Sequence, residues 1–187
     1  ASTTASDNTA IGENSLSDNT TGSNNTALGV SALANNTTAN SNTAIGRSSM
    51  VSNTTGALNT SVGSNALEKN TTGDQNTSCG MQSLRDNTTG SKNTAVGLNS
   101  LRLNTTASDN TAVGHSALDA NTTGPRNTAV GANSLDACTT GSDNVAVGQL
   151  ALTDLTDQSN CTAVGHAAGE NAVGAKNTFM GTDAGKG

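Results

Sequence analysis

The chain has 187 residues, a formal net charge of −6 and only 12% charged residues, with Gly, Asn, Ser, Thr and Ala dominating. One Phe, one Pro and no Trp or Tyr exclude a globular core of large side chains, and without a pattern so polar a chain would be disordered. An acidic balance with no basic stripe or aromatic platform argues against nucleic acid as a partner, and no twenty-residue apolar run offers membrane insertion.

The pattern that rescues the chain is a fixed period of seventeen. The segment Asn8-Thr-Ala-Ile-Gly recurs from Asn25, Asn42, Asn59, Asn76, Asn93, Asn110, Asn127 and Asn144 without a slip. A period of this length marks a solenoid, in which each repeat contacts only its neighbours. The consensus NTAVGxxSLxxNTTGxx defines seventeen columns, counted from Asn8. The chain reads as one domain: a partial first coil at 1–7, regular coils over 8–160 and degenerate coils or a cap over 161–187, about eleven coils in all. The entry at Ser2-Thr-Thr carries no capping element and reads as a fragment or a processed chain.

Within each coil, the Thr-Ala-Val run bounded by Asn and Gly favours a short strand, and seventeen residues are too few for two helices and their turns. An all-β, parallel β-solenoid is expected. Columns four (Ile11, Leu28, Ile45, Val62, Cys79, Val96 and onward) and nine (Leu16, Leu33, Met50, Leu67 and onward) are the apolar ones and are expected to face inward. Column five is Gly from Gly12 to Gly181, which calls for a corner of positive φ or close backbone approach. Column fifteen, mostly Gly or Ala, gives a second corner. At about 4.8 Å per coil the rod is roughly 50 Å long.

Further along the chain, stacked charges test the register. Lys69 precedes Asp86, Glu68 precedes Arg85, Arg102 precedes Asp119 and Arg126 precedes Asp143, each by seventeen residues. Opposite signs stacked in this way place columns ten, eleven and seventeen on the surface. Cys79 takes the place of a column-four aliphatic and reads as a small buried hydrophobe. Cys138 and Cys161 replace recurrent Asn residues in nearby coils, so a disulfide is conceivable. His115 and His166 occupy variable column six with no partner at metal-ligand spacing, and no catalytic or calcium-binding motif is present, so no enzyme, metal or cofactor is expected. After Gly165 the pattern decays: Gly169 stands where column nine has Leu, and one residue is missing before Asn177.

Column twelve supports two readings. Asn19, Asn36, Asn53, Asn70, Asn87, Asn104 and Asn121 each begin an Asn-Thr-Thr glycosylation acceptor. The same residues, turned inward, would stack as an amide ladder along the axis. Replacement by Cys138 and Leu155 in later coils suits a buried site.

Threonine remains. Column thirteen holds Thr20, Thr37, Thr54, Thr71, Thr88, Thr105, Thr122, Thr139 and Thr156; column two holds Thr9, Thr26, Thr43, Thr60, Thr77, Thr94, Thr111 and Thr128; column fourteen repeats Thr from Thr21 to Thr140. A flat rank of methyl and hydroxyl groups on stiff stems at the strand repeat suits the holding of ordered water against ice. Column two shares its strand with column four and gives way to Val145, so column thirteen is the better exposed candidate and column two its rival.

The unit Asn93 to Asp109, NTAVGLNSLRLNTTASD, resembles the seventeen-residue NTAVGYxALxxNTTGxx repeats of tail-fibre and adhesin-like proteins of phages, bacteria and large algal viruses. The NSVAIG-type repeats of trimeric autotransporter heads are a more distant likeness that would imply a trimer of β-rolls. This chain departs from the pattern by lacking every Tyr. Two functions survive: an extracellular, monomeric ice-binding protein whose partner is the ice surface, or a fibre or adhesin shaft of a virion or cell surface, homotrimeric, whose partner is a host receptor or glycan.

Overall fold

The structure is a computed structural model that describes residues 5–186. The entry of the first coil at Ser2 to Thr4 lies outside the described residues. Eleven three-residue strands make a single parallel sheet in sequence order: β1 (Thr9–Ile11), β2 (Thr26–Leu28), β3 (Thr43–Ile45), β4 (Thr60–Val62), β5 (Thr77–Cys79), β6 (Thr94–Val96), β7 (Thr111–Val113), β8 (Thr128–Val130), β9 (Val145–Val147), β10 (Thr162–Val164) and β11 (Thr178–Met180). Thr9 pairs with Thr26, and this seventeen-residue register holds until Thr162 pairs with Thr178, where the missing residue is absorbed. The chain is the parallel β-solenoid that its period implies.

Each strand ends at a glycine. Gly97 has φ +133°, and a Cβ there would stand 2.4 Å from the carbonyl oxygen of Gly114 in the next coil, so both reasons for glycine in column five apply at once. Column fifteen is tight for the second reason only. A Cβ on Gly73 would lie 2.3 Å from the Gly90 oxygen, yet Ala39 and Ala107 occupy the same column in other coils.

The interior corrects one expectation. Column nine is buried as expected: Leu33, Met50, Leu67, Leu84, Leu101, Leu118, Leu135 and Leu152 are fully enclosed, each contributing about 1.5–3 kcal/mol on transfer from water. Column four is not. The inward strand position is column three, where Ala27, Ala44, Ser61, Ser78, Ala95, Ala112, Ala129, Ala146 and Ala163 are fully buried, and the aliphatics of column four point outward. Successive side chains of a strand alternate, so columns two and four share the outer face. The physical reason is width. With Leu from column nine, Asn from columns one and twelve, and Ala or Ser from column eight already inside, only a methyl or hydroxymethyl fits opposite. Cys79, in column four, is therefore exposed rather than buried.

Asparagine supplies the polar part of the core. In column twelve each Nδ2 donates to the Oδ1 of the preceding coil, from Asn36 to Asn19 (2.9 Å) through to Asn121 to Asn104 (3.0 Å). The same nitrogen also donates to the column-fifteen carbonyl of its own coil, as Asn70 does to Gly73 (3.0 Å). Column one works differently: the Oδ1 of Asn42 accepts the backbone N–H of Asn59, and the rule continues to Asn144, which accepts from the N–H of Cys161. A backbone donor explains why Cys161 is tolerated there. The column-twelve ladder needs a side-chain donor and stops at Asn121, whose Oδ1 has no partner once Cys138 takes the next place.

The ends of the repeat follow the same accounting. Cys138 and Cys161 are free, buried thiols, not joined in a disulfide; the first contacts the carbonyl of Gly141 and the second that of Gly174. Burial pushes the Cys138 thiol up to about 11. In the last coil Phe179 takes the inward strand place, and Gly169 makes room for it: a Cβ on Gly169 would lie 2.6 Å from the ring.

Candidate functional site

Two of the three threonine ranks change places relative to the sequence reading. Column thirteen, from Thr37 to Thr139, is half-buried, and its hydroxyls are spent inside the fold. Thr20 Oγ1 donates to the carbonyl of Thr37, Thr37 to Thr54, and so on to Thr139 and Thr156, at 2.9–3.2 Å. This rank is a structural ladder and not a free array. Column two lies on the outer face of the sheet with its side chains half-buried or exposed, and none of its hydroxyls has a hydrogen-bond partner among the described residues. The expectation that column two is the less exposed of the two rival ranks is overturned with that of column four.

The sheet therefore presents two parallel ranks. One is Thr, from Thr9 to Thr178, interrupted only by Val145; the other is aliphatic or thiol, from Ile11 to Met180. Val96, Val130, Val147 and Val164 remain 36–37% exposed. Neighbouring strands lie about 4.8 Å apart, and eleven of them hold one register, so the face is periodic along its whole length. No residue of either rank carries a charge. The flanking columns are mixed: Val30, Met81 and Leu98 in column six and Leu58 in column seventeen are apolar and exposed, whereas Glu13 and Arg47 in column six and Lys92, Asp109, Arg126 and Asp143 in column seventeen are charged.

Column fourteen is the third rank. Thr21, Thr38, Thr55, Thr72, Thr89, Thr106, Thr123 and Thr140 are all exposed, on the bend that follows the asparagine ladder. Their hydroxyls have no partner among the described residues, but the bend has no strand ladder to hold it flat. This rank was visible in the sequence; what was missing was the fate of the column-thirteen hydroxyl, which turns that Thr inward and leaves its neighbour outside.

Charged groups lie outside the two ranks. Arg102 grips Asp119 with two bonds of 2.9 Å, Arg126 grips Asp143, and Lys69 reaches Asp86 at 2.9 Å, all across one coil as the register requires. Asp86 also takes two bonds from its chain neighbour Arg85, which together with Lys69 holds its carboxyl down to about 2. Burial instead raises the Asp136 carboxyl above its ordinary value. Glu68 makes no ion pair with Arg85, whose guanidinium is taken by Asp86. His115 and His166 are exposed. Among the described residues no three His, Cys, Asp or Glu side chains gather as a metal site, and no helix is long and apolar enough to cross a membrane.

No family model, curated protein or solved structure matches this chain.

Proposed function

We propose that this chain is an extracellular ice-binding solenoid that meets ice with the outer face of its strand sheet. The observation that carries the reading is the pairing, over eleven coils in one register, of uncommitted Thr hydroxyls with an aliphatic rank and no charge. Such a face holds water in a repeating arrangement: hydroxyls offer one hydrogen-bonding site per coil, and the methyls beside them leave neighbouring waters to bond each other. Rigidity is supplied from behind by the buried Ala column and the asparagine ladders, so little entropy is lost when the face is matched to a lattice.

The test is thermal hysteresis and crystal shape in dilute solution, with the solution mass measured alongside. Thr94→Tyr and Val96→Tyr interrupt the sheet face with an outward side chain; each is expected to remove most of the activity while leaving the fold intact. Thr89→Tyr, on the bend, is expected to leave activity unchanged. Retained hysteresis in both strand-face variants would remove this face from consideration.

A second reading has its own support. The exposed aliphatic rank, widened at Val30, Leu58, Met81 and Leu98, is also suited to burial against other copies in a homotrimeric fibre or adhesin shaft. A trimeric solution mass with no effect on ice would favour that reading.

A further inference from the structure

The asparagine ladder bears on a modification that the sequence advertises. Besides the seven acceptors of column twelve, Asn59 and Asn76 begin Asn-Thr-Ser acceptors, and Asn24, Asn35 and Asn160 begin three more, in Asn-Asn-Thr and Asn-Cys-Thr. The fold divides these twelve into two groups. The column-twelve residues are at most 9% exposed and Asn59 and Asn76 are 1% exposed, whereas Asn24, Asn35 and Asn160 are exposed.

Attachment of an N-glycan acts on the very nitrogen that the ladder uses. The bond between sugar C1 and the pyrophosphate of a lipid-linked donor breaks, the lipid pyrophosphate leaves with the bonding pair, C1 joins Nδ2, and one amide proton is lost to solvent. For Asn70 the two Nδ2 hydrogens are already committed, to Asn53 Oδ1 at 2.7 Å and to the Gly73 carbonyl at 3.0 Å. Glycosylation would remove one of these bonds. It would also place a sugar where the next atoms belong to the adjoining coils, in an interior close-packed like any other. The acceptor side chains of Asn24, Asn35 and Asn160 are exposed and carry no hydrogen bond among the described residues, so nothing comparable opposes a glycan on their nitrogens, although the Thr37 hydroxyl that completes the Asn35 acceptor donates to the Thr54 carbonyl.

We infer that N-glycosylation and this fold exclude each other at nine of the twelve acceptors, and that the folded chain accepts glycans only at Asn24, Asn35 and Asn160. The chain must then fold before it meets a glycosylating enzyme, or reach its destination by a route that has none. This holds whatever the strand face binds.

The experiment treats two samples of the purified chain, folded and urea-unfolded then diluted, with an oligosaccharyltransferase and a lipid-pyrophosphate-linked oligosaccharide, and maps the glycopeptides. The folded sample is expected to carry glycans at Asn24, Asn35 and Asn160 alone. The unfolded sample is expected to be modified along column twelve as well, and molecules so modified are expected not to regain β-sheet circular dichroism or protease resistance, while the mock-treated sample does. A glycan on Asn70 or Asn87 in protease-resistant protein would overturn the exclusion. A folded sample left bare at all three exposed sites would overturn their assignment as acceptors.

Discussion

Replacing a mid-ladder asparagine should cost more than replacing the last one, although both substitutions delete the same atoms. In Asn70→Ala, Asn53 Oδ1 loses its donor and Asn87 Nδ2 loses one of its two acceptors, while the Gly73 carbonyl keeps the bond from Asn59. Two buried polar groups are stranded, at about 1–3 kcal/mol each, so about 4 kcal/mol is expected. In Asn121→Ala, Asn104 Oδ1 is stranded, but the unpartnered Asn121 Oδ1 disappears with the side chain, and Gly124 keeps its bond from Asn127. The count of stranded groups does not change, and about 1–2 kcal/mol is expected from the lost bonds alone. Urea unfolding followed by far-UV circular dichroism gives both values, provided that each transition stays cooperative with an unchanged slope. Equal costs for the two variants would refute the ladder accounting and leave only a packing contribution.

The remaining expectations concern corners, the cap and pH. Gly97→Ala combines a forbidden φ with a Cβ contact of 2.4 Å and is expected to cost about 2–4 kcal/mol, whereas Gly73→Ala should cost less than about 1 kcal/mol because Ala39 and Ala107 already fit that column; thermal or urea unfolding separates the two. Gly169→Leu is expected to destabilise by collision with Phe179, and Phe179→Ala by about 3 kcal/mol through the void it leaves. Gly169 already has a positive φ of +63°, near the +49° to +55° of the column-nine leucines, so the double variant should recover stability, and additive costs in the double-mutant cycle would contradict the assignment of a cap. The Asp86 carboxyl, held down to about 2 by Arg85 and Lys69, contributes stability that is fully present above pH 4 and is lost as the pH falls towards 2. Discounted for solvent screening this is about 1 kcal/mol, and Asp86→Asn should abolish that part of the acid dependence.

Much of the fold was legible because repetition averages away local ambiguity. The period, the glycine corner, the buried leucines and the stacked charges all follow from columns that vary little or vary in a correlated way. The parity of the strand was not legible. Ala and Val are both apolar, a three-residue strand is too short to show alternation, and the more hydrophobic residue was assigned to the core. The informative signal was variability: column three admits only Ala or Ser from Ala10 to Ala163, while column four accepts Ile, Leu, Val, Cys and Met. A core position this narrow constrains volume, and a surface position does not. The same one-residue question decided the threonine ranks, since reversing the strand parity brings column two to the surface. Column thirteen misled for another reason, because its sequence cannot report that its hydroxyl closes onto the carbonyl of the following coil.

The two side-chain ladders run in opposite senses along the rod. From Asn36 to Asn121 each column-twelve amide donates towards the N-terminal coil, and from Thr20 to Thr139 each column-thirteen hydroxyl, one residue along, donates towards the C-terminal coil. Bond dipoles within one ladder align and reinforce each other. Set side by side and opposed, the two rows largely cancel along the axis. A stack of this kind can gain coils without accumulating axial polarity from these rows.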